Sequence, residues 1–383
     1  MVQLLVEGIG GVTTPDSRIE ILHVDARLSD GFDDIGQASW RKIWRLLGYC
    51  FRAIGLRWRT GVKCFYYVPA PGVRSPVYRD WLVMALCRPF FPCVVYHWHA
   101  IGLGDWIENT ANPVERWISR LLLARPDLSI VLGEFNRRDA EQLASKRVEI
   151  VPNGIPDPCP DFEERILPIR LQRAQARASW FKRLPVQSSD EGRMAGEFRV
   201  FFIGLCIPEK GLFDAVEAVA LVNKQLAGTA MRVSLAVAGG FWRDSDRVAF
   251  EERIQRADLV RDGVPLVKYL GFVSGDSKAR LFAESDCLCF PTYYGAESFG
   301  LVVVEAMAWG LHVVTTRWRT VPELLPADYP GLTAIQSPSE LAAALLAAAA
   351  SDYDSRLRAR FLERYAKERF VAHMHRVLRG MEA

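Results

Sequence analysis

Two glutamates eight positions apart, Glu297 and Glu305, are the residues of this sequence best placed to do chemistry. They lie in Gly295–Gly310, where a Ser-Phe-Gly turn separates the first glutamate from an apolar helical pattern that contains the second. The unpaired N–H groups and partial positive charge at the start of a helix favour a phosphate. Ionised carboxylates beside them are strong acceptors for sugar or ribose hydroxyls. The segment therefore predicts a site for a nucleotide sugar, which has both parts.

A lone glutamate on a helix is most often a solvated surface residue. Glu305 differs because it lies between Val302–Val304 and Ala306–Met307, where an unpaired carboxylate would be costly to bury. We therefore expect Glu305 to have a partner, and a ligand hydroxyl fits that need.

A lysine and several glycines follow predicted strands in the same half of the chain. One strand ends at Gly204, and Lys210 stands just before the next helix. Glycine lets a ligand approach the backbone closely, and lysine supplies a point charge for phosphate. Glycines also end the strands near Gly239–Phe241 and Tyr269–Val273. These glycines fit two interpretations equally well: a backbone that a flat nucleotide base approaches, or a tight turn without a ligand.

Two histidines and a glycine-rich segment mark the first half. His97 and His99 share one face of a predicted strand, and a zinc pair lacks a third ligand nearby. Two alternatives remain open. Either the histidines are core residues whose hydrogen bonds are all made within the protein, or one of them hydrogen-bonds near a sugar. Gly8–Gly11 resembles part of a dinucleotide loop, but it lacks a strong strand before it and an acid after it, which favours a flexible loop.

The elements that must position these residues are strand-like apolar runs alternating with helical patterns. Such alternation predicts parallel sheets covered by helices on both faces, here in two doubly wound domains that face a central cleft. A ligand is then expected at the carboxyl ends of the strands. The predicted strands are Arg18–Ala26, Lys63–Val68, Cys93–His99, Leu128–Gly133, Arg147–Gly154, Glu197–Gly204, Arg232–Gly240, Leu266–Val273, Cys287–Phe290 and Leu311–Thr316.

The domain boundary is predicted within a proline-rich stretch, near Asn153–Pro160. We predict a first Rossmann-like domain over residues 1–155, with an incomplete first strand in Val2–Val6, and an irregular linker with an insertion over 156–196. A second Rossmann-like domain is predicted over 197–351, and a last helix within 352–383 is expected to pack back on the first domain.

Composition limits the class of protein. The 383 residues suffice for two α/β domains, half of them are apolar, and a net charge of +3 does not imply nucleic acid. Eight scattered cysteines without zinc spacing fit a reducing cytoplasm. The start of the chain does not read as a secretory signal, and charge and prolines interrupt the apolar run Trp81–Trp98, so no spanning helix is predicted.

One segment, Ile35–Arg79, contains no Asp or Glu. A basic helix with tryptophans is typical of a membrane-interface element, although a solvated helix that packs its aromatics on the core is an equal alternative. We therefore expect a cytoplasmic protein and keep its association with the inner face of an anionic membrane as a hypothesis. The cationic residues include Arg41, Lys42, Arg45, Arg52, Arg57, Arg59 and Lys63, and the aromatic ones include Trp40, Trp44, Phe51 and Trp58.

Together these motifs resemble the retaining glycosyltransferases of family four, which have the GT-B fold. The resemblance covers most of the second half in the expected order, and the first half matches chiefly through "HWH". The matching pieces are Asn153–Gly154, Ile203–Gly211, Ala238–Gly240, Tyr269–Val273 and the segment from Pro291 to Gly310 with its two glutamates.

The resemblance implies a role for each matching residue. Glu305 would hold the ribose of the donor, Glu297 the transferred sugar, and Lys210 the departing diphosphate. The first domain would be the acceptor side, with His99 contacting the sugar, and the second domain would bind the nucleotide sugar without a metal or other cofactor. Further donor contacts are expected from Gly204, Val273, Ser298, Phe299, Gly300 and Leu301.

The implied function is transfer of a sugar, with retention, from a nucleotide diphosphate sugar to a hydroxyl acceptor in cell-surface polysaccharide or glycolipid assembly. The acceptor would be a saccharide or lipid-linked saccharide. Leu205 departs from the family, which usually has an arginine there, and this favours an alternative: a nucleotide-sugar-binding protein without transfer. A nucleotide-sugar epimerase and a dinucleotide oxidoreductase have less support.

Overall fold

A computed structural model describes residues 2–9, 19–26, 40–181 and 196–381. The chain divides into two compact units: the first comprises Met1–Gly154 and Lys367–Ala383, and the second comprises Ile155–Ala366. In the part of the chain that the structure describes, no helix has the length and apolar character needed to cross a membrane.

The described elements alternate between strand and helix over most of the chain. In chain order they are α1 (Val2–Ile9), α2 (Trp40–Thr60), β1 (Cys64–Tyr67), α3 (Arg74–Cys87), β2 (Cys93–His97), α4 (Leu103–Asn109), α5 (Pro113–Leu123), β3 (Leu128–Val131), α6 (Arg137–Gln142), β4 (Val148–Ile150), α7 (Phe162–Arg165), α8 (Leu167–Phe181), β5 (Glu197–Ile203), α9 (Leu212–Gln225), β6 (Arg232–Ala238), α10 (Asp244–Ile254), β7 (Val260–Arg261), β8 (Val264–Pro265), β9 (Val267–Gly271), α11 (Gly275–Glu284), β10 (Cys287–Phe290), α12 (Leu301–Ala308), β11 (His312–Thr316), α13 (Val321–Leu324), β12 (Leu332–Thr333), α14 (Pro338–Ala350), α15 (Arg356–Arg360) and α16 (Lys367–Arg379).

The first unit is built on a parallel sheet in the order β1-β2-β3-β4. Successive residues of a strand point to opposite faces, so β2 contributes to two cores. Val94 and Tyr96 pack in a core that includes Leu46 of α2 and Met84 of α3. Val95 packs on the other face, in a core that α1 and α16 also line. Helices therefore cover both faces of the sheet.

Two predictions at the start of the chain are wrong. The described part of the predicted strand Arg18–Ala26 has no regular structure, because no described strand pairs with residues 19–26. Val2–Val6 is not a first strand but part of α1, whose Leu5 is buried against α16. Gly8 also lies in this helix, where a Cβ would meet Val371 at 2.5 Å, so it serves close packing. Gly10 and Gly11 lie outside the described residues.

The second unit contains a six-stranded parallel sheet in the order β12-β11-β10-β5-β6-β9. Apart from the short hairpin of β7 and β8, this is the doubly wound order in which the first strand lies beside the fourth. The chain reverses its winding direction between β5 and β10. Ligands of such sheets bind outside the carboxyl ends of the strands at this switch point.

The described part of the region predicted as an irregular linker is largely helical, since α7 and α8 cover most of residues 162–181. Three arginines of α8, namely Arg170, Arg173 and Arg177, are buried. Arg173 and Arg177 form ion pairs of 2.6 and 3.1 Å with the buried carboxylate of Asp286. Arg170 donates to backbone carbonyls near Ser285. The helix is therefore an integral part of the second unit.

The last helix, predicted within residues 352–383, is interrupted. A π-helical turn, Phe361–Tyr365, follows α15, and Ala366 is extended before α16 begins. Ala366 forms a parallel bridge with Ile155, which accounts for the extended residue. Phe370 and Met374 of α16 are buried in the core of the first unit.

Candidate active site

Two loops meet at the switch point of the second sheet. The first follows β5 and ends in a turn, Pro208–Lys210, and the second follows β10. Gly211 has a φ of 78°, and a Cβ there would lie 2.1 Å from the carbonyl oxygen of Pro291. The N–H of Tyr293 donates to the carbonyl of Glu209 at 2.8 Å. The loops are therefore fixed against each other by backbone contacts that require glycine at position 211.

Lys210 and Glu297, one from each loop, form an ion pair of 2.6 Å between Nζ and Oε2. Both side chains are largely buried, with 16% and 11% of their surface exposed. The ammonium also lies 4.8 Å from the ring centre of Tyr294, within cation–π range, and the Thr292 hydroxyl contacts Glu297 at 3.5 Å. The sequence predicted both charged residues for this site, and the structure brings them together.

The helix that carries Glu305 begins beside this pair. Gly300 adopts a left-handed φ of 83° before α12 starts at Leu301, so the turn redirects the chain from the loop into the helix. Phe299 is buried and anchors the turn, whereas Leu301 is exposed. The predicted residues Ser298, Phe299, Gly300 and Leu301 are thus contiguous at the helix N-terminus, where the dipole favours a negative charge.

Glu305 has a protein partner that the sequence analysis missed. Lys278 of α11 pairs with it at 2.8 Å, and both side chains are partly exposed, at 35% and 25%. One carboxylate oxygen, Oε1, accepts from the lysine. The signal that could have found Lys278 is its position in the first turns of the helix after β9, at the same carboxyl edge of the sheet.

Glycines also shape the ends of the neighbouring strands. A Cβ at Gly239 would lie 1.8 Å from the carbonyl oxygen of Gly204, so these strand ends are in close contact. A Cβ at Gly204 itself would meet nothing within 4 Å, which leaves open space above its backbone. Val273 is half-buried next to Ser274, the residue that caps α11. Leu205 is also half-buried and supplies no charge where the family usually has an arginine.

The histidine pair lies in the first unit. His97 is fully buried, and its Nδ1 hydrogen-bonds the Tyr66 hydroxyl, which supports the core interpretation for this residue. The His99 ring lies 4.1 Å from the His97 ring, and burial lowers the pKa of His99 to about 4. His99 also lines a cavity of about 1380 Å³ within the first unit. It is therefore a neutral imidazole beside open space at pH 7.

A family model covers the candidate site residues of the second unit. Residues 186–369 match the family model described as glycosyl transferases group 1. The O-antigen chain mannosyltransferase B of Escherichia coli is 28% identical over 134 residues. That match covers 35% of this chain and 32% of the E. coli protein, so the chain spans about a third of that relative.

Two solved structures have a similar fold. The Anabaena protein Alr3699/HepE, crystallised in complex with UDP, has a TM-score of 0.60 at 16% identity, over 87% of this chain and 82% of its own. Sucrose-phosphate synthase from Thermosynechococcus elongatus has a TM-score of 0.63 at 17% identity, over 99% and 92% of the two chains. The predicted GT-B fold class is thereby confirmed. The stretch that matches the glycosyl transferases group 1 model includes Lys210 and the two glutamates.

Proposed function

We propose that the protein transfers a sugar from a nucleotide diphosphate sugar to a hydroxyl acceptor, with retention at the anomeric carbon. The observation that carries the proposal is the Lys210–Glu297 pair at the switch point of a doubly wound sheet, beside the N-terminus of α12. The match of residues 186–369 to the glycosyl transferases group 1 model supports it, as does a structural relative crystallised with UDP.

The residues of the second unit would divide the donor between them. Glu305, held by Lys278, would accept hydrogen bonds from the ribose, and Val273 would lie beside the base. Open space above Gly204 would admit the diphosphate. Glu297 and the Ser298–Gly300 turn would then receive the hydroxyls of the transferred sugar.

In the reaction, the acceptor oxygen forms a bond to the anomeric carbon while the bond from that carbon to the diphosphate oxygen breaks. The proton of the acceptor hydroxyl passes to the departing diphosphate. Negative charge increases on that leaving group, and Lys210 together with the α12 dipole would stabilise it without a divalent cation. Lys210 must exchange its Glu297 contact for a phosphate oxygen, which a cationic ammonium can do with little geometric constraint.

The acceptor is proposed to be a saccharide or lipid-linked saccharide of cell-surface polysaccharide or glycolipid assembly. The E. coli relative named for O-antigen chains supports this class. Association with an anionic membrane would bring the protein to a lipid-linked acceptor. Contact of His99 with the sugar, and the acceptor role of the first unit, remain predictions.

The test starts with thermal unfolding against a panel of nucleotide diphosphate sugars, because a ligand that binds only the folded state raises Tm. The stabilising donor is then incubated with saccharide acceptors in EDTA, and the product is analysed by mass spectrometry and by proton NMR of its anomeric centre. Product with retained configuration supports the proposal. Stabilisation without transfer to any acceptor would instead favour a binding protein, and an inverted product or a requirement for metal would contradict those parts of the mechanism.

A further inference from the structure

The most unusual exposed surface of the first unit is an aromatic row along α2. Trp40, Trp44, Phe51 and Trp58 are 78%, 72%, 64% and 74% exposed. At 3.6 residues per turn, these four side chains project from the helix axis within about 40° of one another, so they form one row along the helix. Large contiguous apolar surfaces of this kind are rare on a protein that faces only water, and they mark sites of interaction.

A row of arginines runs beside the aromatic one. Each aromatic residue is followed directly by an arginine, which lies about 100° further around the helix. Arg41 and Arg45 also interact within the protein, so the exposed Arg52 and Arg59 are the arginines of this row that can bind a partner. The helix carries six cationic residues and no acidic one.

The opposite side of α2 fixes the helix on the protein. Leu46 and Cys50 are buried in the core beneath α3, on the side of the helix away from both rows. The aromatic row is therefore not the side of α2 that packs on the core. The helix is about 31 Å long, which suits an orientation parallel to a surface rather than a point contact.

We infer that this face of α2 is a docking surface for an anionic lipid bilayer, with the aromatic rings in the headgroup region and the arginines on lipid phosphates. Guanidinium groups match phosphates in charge and geometry, and tryptophan rings favour the membrane–water interface. If two copies of the chain paired through this face, their arginine rows would repel each other. A nucleic acid would bind the arginines but would leave the aromatic row in water. The inference rests on the first unit and is independent of the proposed reaction.

The test is co-sedimentation of the full chain with vesicles of phosphatidylcholine containing about 30% phosphatidylglycerol, compared with pure phosphatidylcholine. The expected result is binding to the anionic vesicles that weakens strongly between about 50 and 500 mM salt. Trp44→Ala/Trp58→Ala should weaken binding by about tenfold for each ring removed. Arg52→Ala/Arg59→Ala should weaken it roughly 30-fold, about fivefold for each charge.

Matched controls come from the second unit, where Trp242, Arg243 and Arg280 are also exposed. Trp242→Ala and Arg243→Ala/Arg280→Ala should bind anionic vesicles as the wild type does. Brominated lipids should partly quench the tryptophan fluorescence of the wild-type protein if the rings of α2 enter the bilayer. This measurement needs no variant, so it tests the docking surface even where a variant fails to fold.

Three results would overturn the inference. The first is absence of binding at low salt. The second is salt-sensitive binding that persists when both tryptophans are removed, because this would be non-specific attraction. The third is self-association in sedimentation velocity that the Trp44→Ala/Trp58→Ala variant abolishes while the wild type ignores vesicles, because this would identify an interface between copies of the chain.

Discussion

Replacing Lys278 with methionine tests whether this lysine positions Glu305 for the ribose of a donor nucleotide. The pair has a 2.8 Å contact and both partners are partly solvated, so its loss should cost folding only about 0.2–1 kcal/mol. The larger effect falls on binding. A released Glu305 must be ordered when the nucleotide binds, at about 1 kcal/mol, so the affinity should fall about fivefold.

The assay is calorimetric titration of UDP and its 2′,3′-dideoxy analogue, with UDP as the probe because a structural relative was crystallised with it. The Lys278→Met change should weaken UDP about fivefold and the dideoxy analogue less than about twofold, since the analogue lacks the hydroxyls that Glu305 would bind. Glu305→Gln should cost roughly 10- to 150-fold for UDP, the range for a hydrogen bond to a charged group. Adding Lys278→Met to Glu305→Gln should then change little, because the two residues act as a unit.

The matched control is Lys268→Met, which removes an exposed lysine of β9 and should leave both affinities unchanged. If Lys278→Met lowered the affinities for UDP and for the dideoxy analogue equally, the reasoning would be refuted. That result would indicate that the lysine binds the phosphates and not that it positions Glu305 for the ribose. An unchanged UDP affinity would refute it as well.

Three further predictions concern stability and protonation. Asp286→Ala should lower the free energy of unfolding by about 3–5 kcal/mol in urea titration, because it leaves buried arginines unpaired; a loss below about 1 kcal/mol would contradict this. Gly211→Ala should destabilise by about 1–3 kcal/mol more than Gly228→Ala, which has a similar positive φ but open space around it; equal losses would show that contact with Pro291 does not matter. Burial lowers the pKa of His99 to about 4, so stability should fall as the pH drops from 6.5 toward 4, where the unfolded chain binds the proton first. His99→Gln should reduce that loss, and an NMR titration midpoint near 6.5 for the His99 ring would contradict it.

The strands of the second sheet could be predicted from sequence because buried parallel strands are continuous apolar runs. The predicted strand Glu197–Gly204 forms over Glu197–Ile203, and Cys287–Phe290 forms as predicted. The helix α9 begins at Leu212, directly after Gly211, whose left-handed φ fixes where the helix begins. Local sequence decides each of these elements.

Features that depend on distant partners could not be predicted in the same way. The alternating pattern of Arg18–Ala26 favours a strand, but a strand needs a neighbour to pair with. The segment with the arginines of α8 was predicted as an irregular linker because their partner, Asp286, is more than a hundred positions away. Lys278 was missed for the same reason, since only the folded sheet edge brings α11 beside Glu305.

The most direct test of the central claim is the rate of nucleoside diphosphate release from the stabilising donor and acceptor, measured by ³¹P NMR for the wild type and for Lys210→Met. If Lys210 stabilises the leaving diphosphate, the variant should release it about 100- to 1000-fold more slowly, the usual cost of losing one electrostatic group at the transition state. Donor affinity should fall by less, about tenfold, because part of that stabilisation arises only as the bond breaks. Equal rates for the two proteins would contradict the role of Lys210, and no acceptor-dependent release by the wild type with any donor would contradict the proposed transfer.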